Sequence, residues 1–208
     1  MDSEVLAEVR QLFAPEEGAL AAARTRAPDH LGVPTPEVGA LLRWAATTCR
    51  AGSAVEVGSG GGISGLWIVP SLGARGVLTS IESDPHAHAL ATTAYAEAGL
   101  EGRIRAILSE PTDVLPRLSD GAYGLVLLQG MPSGFVAALE HARRLLRPGG
   151  MLIARGVLRH GQHAEDLARF LDAVASDELL TCSVLPVDGG LVLATRGEDP
   201  AEDLPDGS

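Results

Sequence analysis

Lysine and asparagine are absent from the 208-residue chain, and all 16 basic residues are arginine. Codons for both missing types are A/T-rich, so a GC-rich coding sequence accounts for the gap. The chemical exclusions hold regardless of cause. There is no Schiff-base lysine, no phosphate-loop lysine and no N-glycosylation acceptor. Cysteine is scarce as well: Cys49 and Cys182 are too few and too far apart for a disulfide framework or a metal knuckle. Aromatic residues make up 3% of a chain that is 46% hydrophobic, so its core must be built from Leu, Val and Ala. No apolar run reaches the roughly 18 residues of a membrane span. The opening MDSEVLAEVR is too acidic and polar for a secretory leader, and the expected location is the cytoplasm. Excess positive charge is also lacking. A net charge of −11 argues against broad nucleic-acid binding, which needs a basic surface.

What remains is strong strand–helix alternation. Residues 3–13 and 16–26 have helical apolar spacing. The stretch APDHLGVPTPE, with Pro28, Pro34 and Pro36, reads as an extended linker. Thr35 then caps a helix that carries Pro36 in its first turn. Five apolar strands follow at 53–59, 76–83, 103–109, 123–129 and 151–158, each separated by a helical segment. Pro148-Gly149-Gly150 is expected to end the helix before the fifth strand. The last helix leads to LLTCSVLPV, the turn DGG and LVLATR, which reads as a hairpin. This order implies a doubly wound, mostly parallel sheet of seven strands, with the last strand antiparallel. Residues 1–31 are expected to form an N-terminal helical cap, 32–196 the main domain and 197–208 an acidic disordered tail.

VEVGSGGGIS follows the first strand and opens a helix. Glycines at this place let a ligand approach the backbone closely, beside free N–H donors. A dinucleotide fold wants G-x-G-x-x-G; here the sixth position is Ile63, which weakens a nicotinamide reading. Glu56 lies inside the apolar strand, where an acid is costly unless it has a partner, and a ligand ammonium would be one. Glu82 ends the second strand, 24 positions beyond Gly58, about where such folds place an acid on ribose hydroxyls. A cofactor with an amine, a ribose and no essential phosphate fits: S-adenosylmethionine.

These residues resemble the class I S-adenosylmethionine-dependent methyltransferases. TPEVGALL, GGISGLW, SIESDPHAHALA, AEAGLEGRIR, DVLPRL and LLRPGG are similar to motifs of the small bacterial O-methyltransferases related to catechol and caffeoyl-CoA O-methyltransferases. The resemblance covers roughly residues 30 to 196. It implies a Rossmann-like fold, S-adenosyl-L-methionine as cofactor and a small-molecule acceptor. It leaves open a homodimer, which the N-terminal helices would join unless they cap the acceptor site. By this resemblance Val33 and Pro34 line the methionine end. Glu56 and Gly58 hold the amino-acid moiety, with Ser64 at its carboxylate. Gly60 gives the cofactor room, and Glu82 binds the ribose. Ser109, Glu110 and Pro111 meet the adenine. Gln129 borders the sulfonium, and Met131 covers the adenine.

The other half of the pattern departs. Metal-dependent members of the family end the fourth strand in Asp, with a lysine three residues on, and end the fifth in Asp-Asn. Here those positions hold Gln129, Pro132 and Arg155-Gly156. An amide and a guanidinium cannot form the oxygen-rich shell that Mg²⁺ prefers, so no catalytic divalent metal is expected. Candidate catalytic groups are His160 and His163, which follow the fifth strand, and Arg155, either orienting an anionic acceptor or held in a structural ion pair. His86, His88 and His141 are expected to be structural or on the surface, Trp44 and Trp67 to pack, and Cys182 to lie in the core. Two readings stay open: a metal-independent O-methyltransferase, or a protein that binds the cofactor without catalysis.

Overall fold

The computed structural model describes residues 3–130, 132–158 and 163–199. The chain runs through α1 (Ser3–Phe13), α2 (Gly18–Arg26), α3 (Pro36–Thr48), β1 (Ser53–Val57), α4 (Ile63–Ile68), β2 (Val77–Glu82), α5 (Pro85–Glu97), β3 (Ile104–Leu108), α6 (Pro111–Val114), β4 (Tyr123–Leu128), α7 (Phe135–Leu145), β5 (Leu146–Arg155), α8 (Ala164–Ala175), β6 (Leu180–Leu185) and β7 (Leu191–Arg196). One seven-stranded sheet has the order β3-β2-β1-β4-β5-β7-β6. Strands β1 to β5 pair in parallel, and β7 pairs antiparallel with both β5 and β6.

The central strands are apolar on both faces because helices cover both. Ala54, Leu78, Leu125 and Leu127 turn toward α3, α4 and α5, in a cluster that also takes Ala14 and Ala23 from the N-terminal segment. Val55, Val57, Ile81, Val126 and Leu128 turn the other way, toward α7 and α8. There the rings of Phe135 and Phe170 meet edge to face, with centroids 5.3 Å apart.

Local signals act as expected in several places. The Thr35 hydroxyl accepts from the amide of Val38 at 3.4 Å, with Pro36 in the first turn of α3. The N-terminal helices are tied down by Arg24, which pairs with Glu16 and donates to the Pro34 carbonyl at 2.7 Å. Glu16 also accepts from the Trp67 indole at 3.2 Å. A Cβ on Gly39 would collide with that indole, so only glycine lets α3 lie on it.

Some expectations fail. The linker is not fully extended, because Asp29–Leu31 form a 3-10 turn. Strand β5 begins at Leu146, so Pro148-Gly149-Gly150 belongs to its irregular start, where the pairing with β4 shifts register. Trp44 is 55% exposed rather than packed. Cys182 is exposed because β6 is the edge strand of the sheet. The expected tail lies outside the described residues from position 200 onward. Among the described residues no helix is long and apolar enough to cross a membrane.

Candidate functional site

A cavity of about 580 Å³ opens at the carboxyl ends of the parallel strands, the usual ligand side of such sheets. At the β3 end it is lined by Glu110, Pro111, Thr112 and Leu115, with Ala138 and His141 from α7. Its middle holds Glu82, Gly58, Gly60 and Gln129. At the β5 end stand Arg155 and Gly156, with the Gly32 carbonyl bonded to Arg155, and His30 and Leu31 of the 3-10 turn also line the cavity.

The glycine segment after β1 forms part of the wall. Gly58 has φ +84°, and a Cβ there would lie 2.5 Å from the Gln129 carbonyl oxygen, so β1 and β4 can converge only on a glycine. Glu82 accepts from the amide and the hydroxyl of Ser59, both at 2.8 Å, and from the Asp84 amide at 3.1 Å. Its carboxylate is thus fixed at the cavity edge by backbone that belongs to two different turns.

Glu56 does not line the cavity. It is fully buried on the α4–α5 face of the sheet, and its partners are protein hydroxyls. Ser64 and Ser80 each donate to it at 2.6 Å and Tyr95 at 2.9 Å. Ser80 is its direct neighbour across β1 and β2. Burial pushes the Glu56 carboxyl up to about 7, although the three hydroxyl donors pull it down and nearby Glu82 raises it slightly. Burial, then the charge of Glu56, drives the Tyr95 hydroxyl up as well. Three neutral protein donors thus meet the Glu56 carboxyl, where a ligand ammonium was expected, and the Ser64 hydroxyl is one of them.

Gln129 joins that cluster to the β5 end. Its amide nitrogen donates to the Gly58 carbonyl and to the Ser64 hydroxyl, both at 2.7 Å. Its amide oxygen accepts from Arg155 at 2.7 Å. Arg155 is 5% exposed; it donates to the Gly32 carbonyl at 3.3 Å from both terminal nitrogens and forms an ion pair with Asp188 in the turn between β6 and β7. A divalent cation does not fit here. The Gln129 oxygen is already held by a guanidinium, a fixed positive charge, and Gly156 offers no side chain.

The remaining expected site residues divide as follows. Gly58, Gly60, Glu82, Glu110, Pro111, Gln129 and Arg155 line the cavity, whereas Val33, Pro34 and Ser109 do not. Val33 nevertheless reaches to 4.0 Å from the position of a Cβ on Gly60. His163 lies outside the cavity lining, 3.6 Å from Asp166 at the start of α8. Met131 and His160 fall outside the described residues. His141, expected to be structural or on the surface, lines the β3 end and accepts from Arg144 at 3.3 Å. Sequence reasoning missed Asp188, His30 and the Gly32 carbonyl. DGG was legible as a turn, but nothing in it pointed to Arg155.

The fold and this cavity define a Rossmann-like methyltransferase, and comparison with known proteins narrows the class. A family model described as a methyltransferase domain matches residues 55–154. A putative O-methyltransferase of Mycobacterium sp. (strain JLS) is 37% identical over 192 residues, covering 87% of each chain. Among solved structures, a Corynebacterium glutamicum protein is 27% identical with a TM-score of 0.83, covering 96% of this chain and 99% of its own. The O-methyltransferase TomG from Streptomyces achromogenes, solved in complex with SAM, shares the fold at 23% identity with a TM-score of 0.84, covering 94% of this chain and 96% of its own. The chain belongs to the S-adenosylmethionine-dependent O-methyltransferases.

Proposed function

We propose that this protein moves the methyl group of S-adenosylmethionine to an oxygen of a small acceptor without a divalent metal. The observation that carries the metal-independent part is the buried Arg155, held between Gln129 and Asp188 where the family's metal-dependent members place their ligands.

The cavity residues fit the cofactor. In this reading the open space beside Gly58 and Gly60 would admit the amino-acid end, Glu82 would meet the ribose, and Glu110, Pro111, Thr112 and Leu115 with Ala138 would enclose the adenine; that all of them line one cavity supports it. When bound, the cofactor supplies a methyl carbon made electrophilic by its sulfonium. The chain's own task is alignment, exclusion of water and removal of one proton. The acceptor oxygen bonds to the methyl carbon as the carbon–sulfur bond breaks, leaving S-adenosylhomocysteine, while the acceptor proton passes to a base. His30, which lines the cavity, is the imidazole we assign to receive it. Gln129 presents a neutral wall to the sulfonium.

The test is turnover to S-adenosylhomocysteine with a panel of phenols and hydroxylated acids, with and without chelator. Activity that survives chelator is expected. A strict Mg²⁺ requirement would overturn the metal-independent reading.

A further inference from the structure

The turn between β6 and β7 does more than reverse the chain. Asp188, Gly189 and Gly190 have φ values of +51°, +78° and +95°. Asp is one of the few non-glycine residues that accept such a backbone. The turn sits directly on the segment that leaves β5. The Gly190 carbonyl accepts from the amides of Gly156 at 2.8 Å and Val157 at 3.3 Å, and the Gly189 carbonyl accepts from Leu158 at 2.9 Å. A Cβ on Gly190 would lie 2.5 Å from the Leu158 side chain, so nothing bulkier can dock there. This docking brings the Asp188 carboxylate to Arg155, whose Nε donates to it at 3.0 Å while a terminal nitrogen pairs with the same oxygen.

With Nε and one terminal nitrogen fixed on Asp188, the other terminal nitrogen points at Gln129. The guanidinium has no acceptor, so Gln129 must present its oxygen to Arg155 and its nitrogen to Gly58 and Ser64. The reversed amide would set NH₂ against the guanidinium and oxygen against a carbonyl oxygen.

We propose that Asp188 is a positioning residue for methyl transfer. Acting through Arg155, it sets the orientation of the Gln129 amide at the centre of the cavity and holds the segment leaving β5 in place beside it. The proposal rests on reading the cavity as an S-adenosylmethionine site. Without the carboxylate the guanidinium regains rotamer freedom, the Gln129 oxygen loses its fixed donor, and the amide is held only from the Gly58 and Ser64 side.

The chain offers a direct readout. It has no asparagine, and its glutamines are Gln11, Gln129 and Gln162. A nitrogen–proton correlation spectrum therefore contains very few side-chain amide pairs. The Gln129 pair, identified by its loss in Gln129→Met, should stand apart in shift and exchange slowly with deuterium. In Asp188→Asn, whose own new amide pair is told apart because it survives in the Asp188→Asn/Gln129→Met double variant, the Gln129 pair should move to solvent-like shifts and exchange fast. S-adenosylhomocysteine affinity, measured by calorimetry well below the melting temperature, should fall about tenfold, the scale of one charge-assisted hydrogen bond. Asp188→Glu should recover part of the affinity. An Asp188→Asn protein whose melting point drops but whose amide pair and affinity match wild type would overturn the positioning role, leaving a purely structural ion pair. Wild-type protein that does not bind S-adenosylhomocysteine at all would instead overturn the cofactor reading and this proposal with it.

Discussion

A buried and a partly buried carboxylate sit on either side of Gln129, and the chain treats them in opposite ways. Glu56 lies in a central strand and is held by three uncharged hydroxyls. Asp188 lies in a turn at the far side of the sheet and is held by a guanidinium. Burial leaves Glu56 open to protonation near neutral pH despite its three hydroxyl donors, whereas Asp188 faces a guanidinium. The first cluster joins β1, β2, α4 and α5, all built from the first half of the chain. The second draws in segments from Gly32 to Asp188. Gln129 bonds to both, so the two clusters share one neutral amide.

The sharpest break in this comparison is Arg155→Met. It strands Asp188 and the Gln129 oxygen together, and losing one partner of a buried ion pair typically costs about 3–5 kcal/mol. Urea unfolding should show that loss, and a loss under 1 kcal/mol would mean that the pair is effectively solvated. On the other side, Tyr95→Phe removes one of three donors to Glu56 and should cost about 1–2 kcal/mol. Thermal melts at pH 7.5 would check it. The smallest effect at acidic pH, and the most telling in its pH dependence, belongs to Glu56→Gln. The folded carboxyl titrates near 7, above its usual value of 4.5. The folded state therefore binds the proton more tightly, and stability falls as pH rises through the window between those two values. Wild-type protein should lose up to roughly 1 kcal/mol per pH unit across that window. Glu56→Gln should flatten the slope while matching wild type near pH 4.5. An unchanged slope would show that Glu56 is not the titrating group.

Much of this was legible in the sequence for identifiable reasons. Apolar β-branched runs bounded by glycine and proline marked every strand, and Thr35-Pro36 marked the start of α3. Glu56 stood out as an acid that needed a partner. Its partners did not, because Ser64, Ser80 and Tyr95 lie 8, 24 and 39 positions away and meet only once the sheet and two helices have packed. Asp188 was hidden for the same reason, since its partner is 33 positions back. Gln129 and Arg155 were flagged as departures from a metal pattern. That they bond to each other was not visible, because the pairing depends on neighbouring parallel strands ending level with one another. Cys182 was misread because alternation reveals a strand but not whether it lies at an edge.

The two tryptophans have a practical consequence. Trp67 is buried against Gly39, with Arg43 5.5 Å above its ring and its indole nitrogen bonded to Glu16, whereas Trp44 is largely solvent-exposed. Fluorescence from the protein is thus a sum of a shielded and an open emitter. A soluble quencher reaches Trp44 first. Release of the N-terminal helices unmasks Trp67, shifting its emission to the red and adding a second quenchable population. The chain carries its own optical gauge of whether those helices are seated, with no label attached.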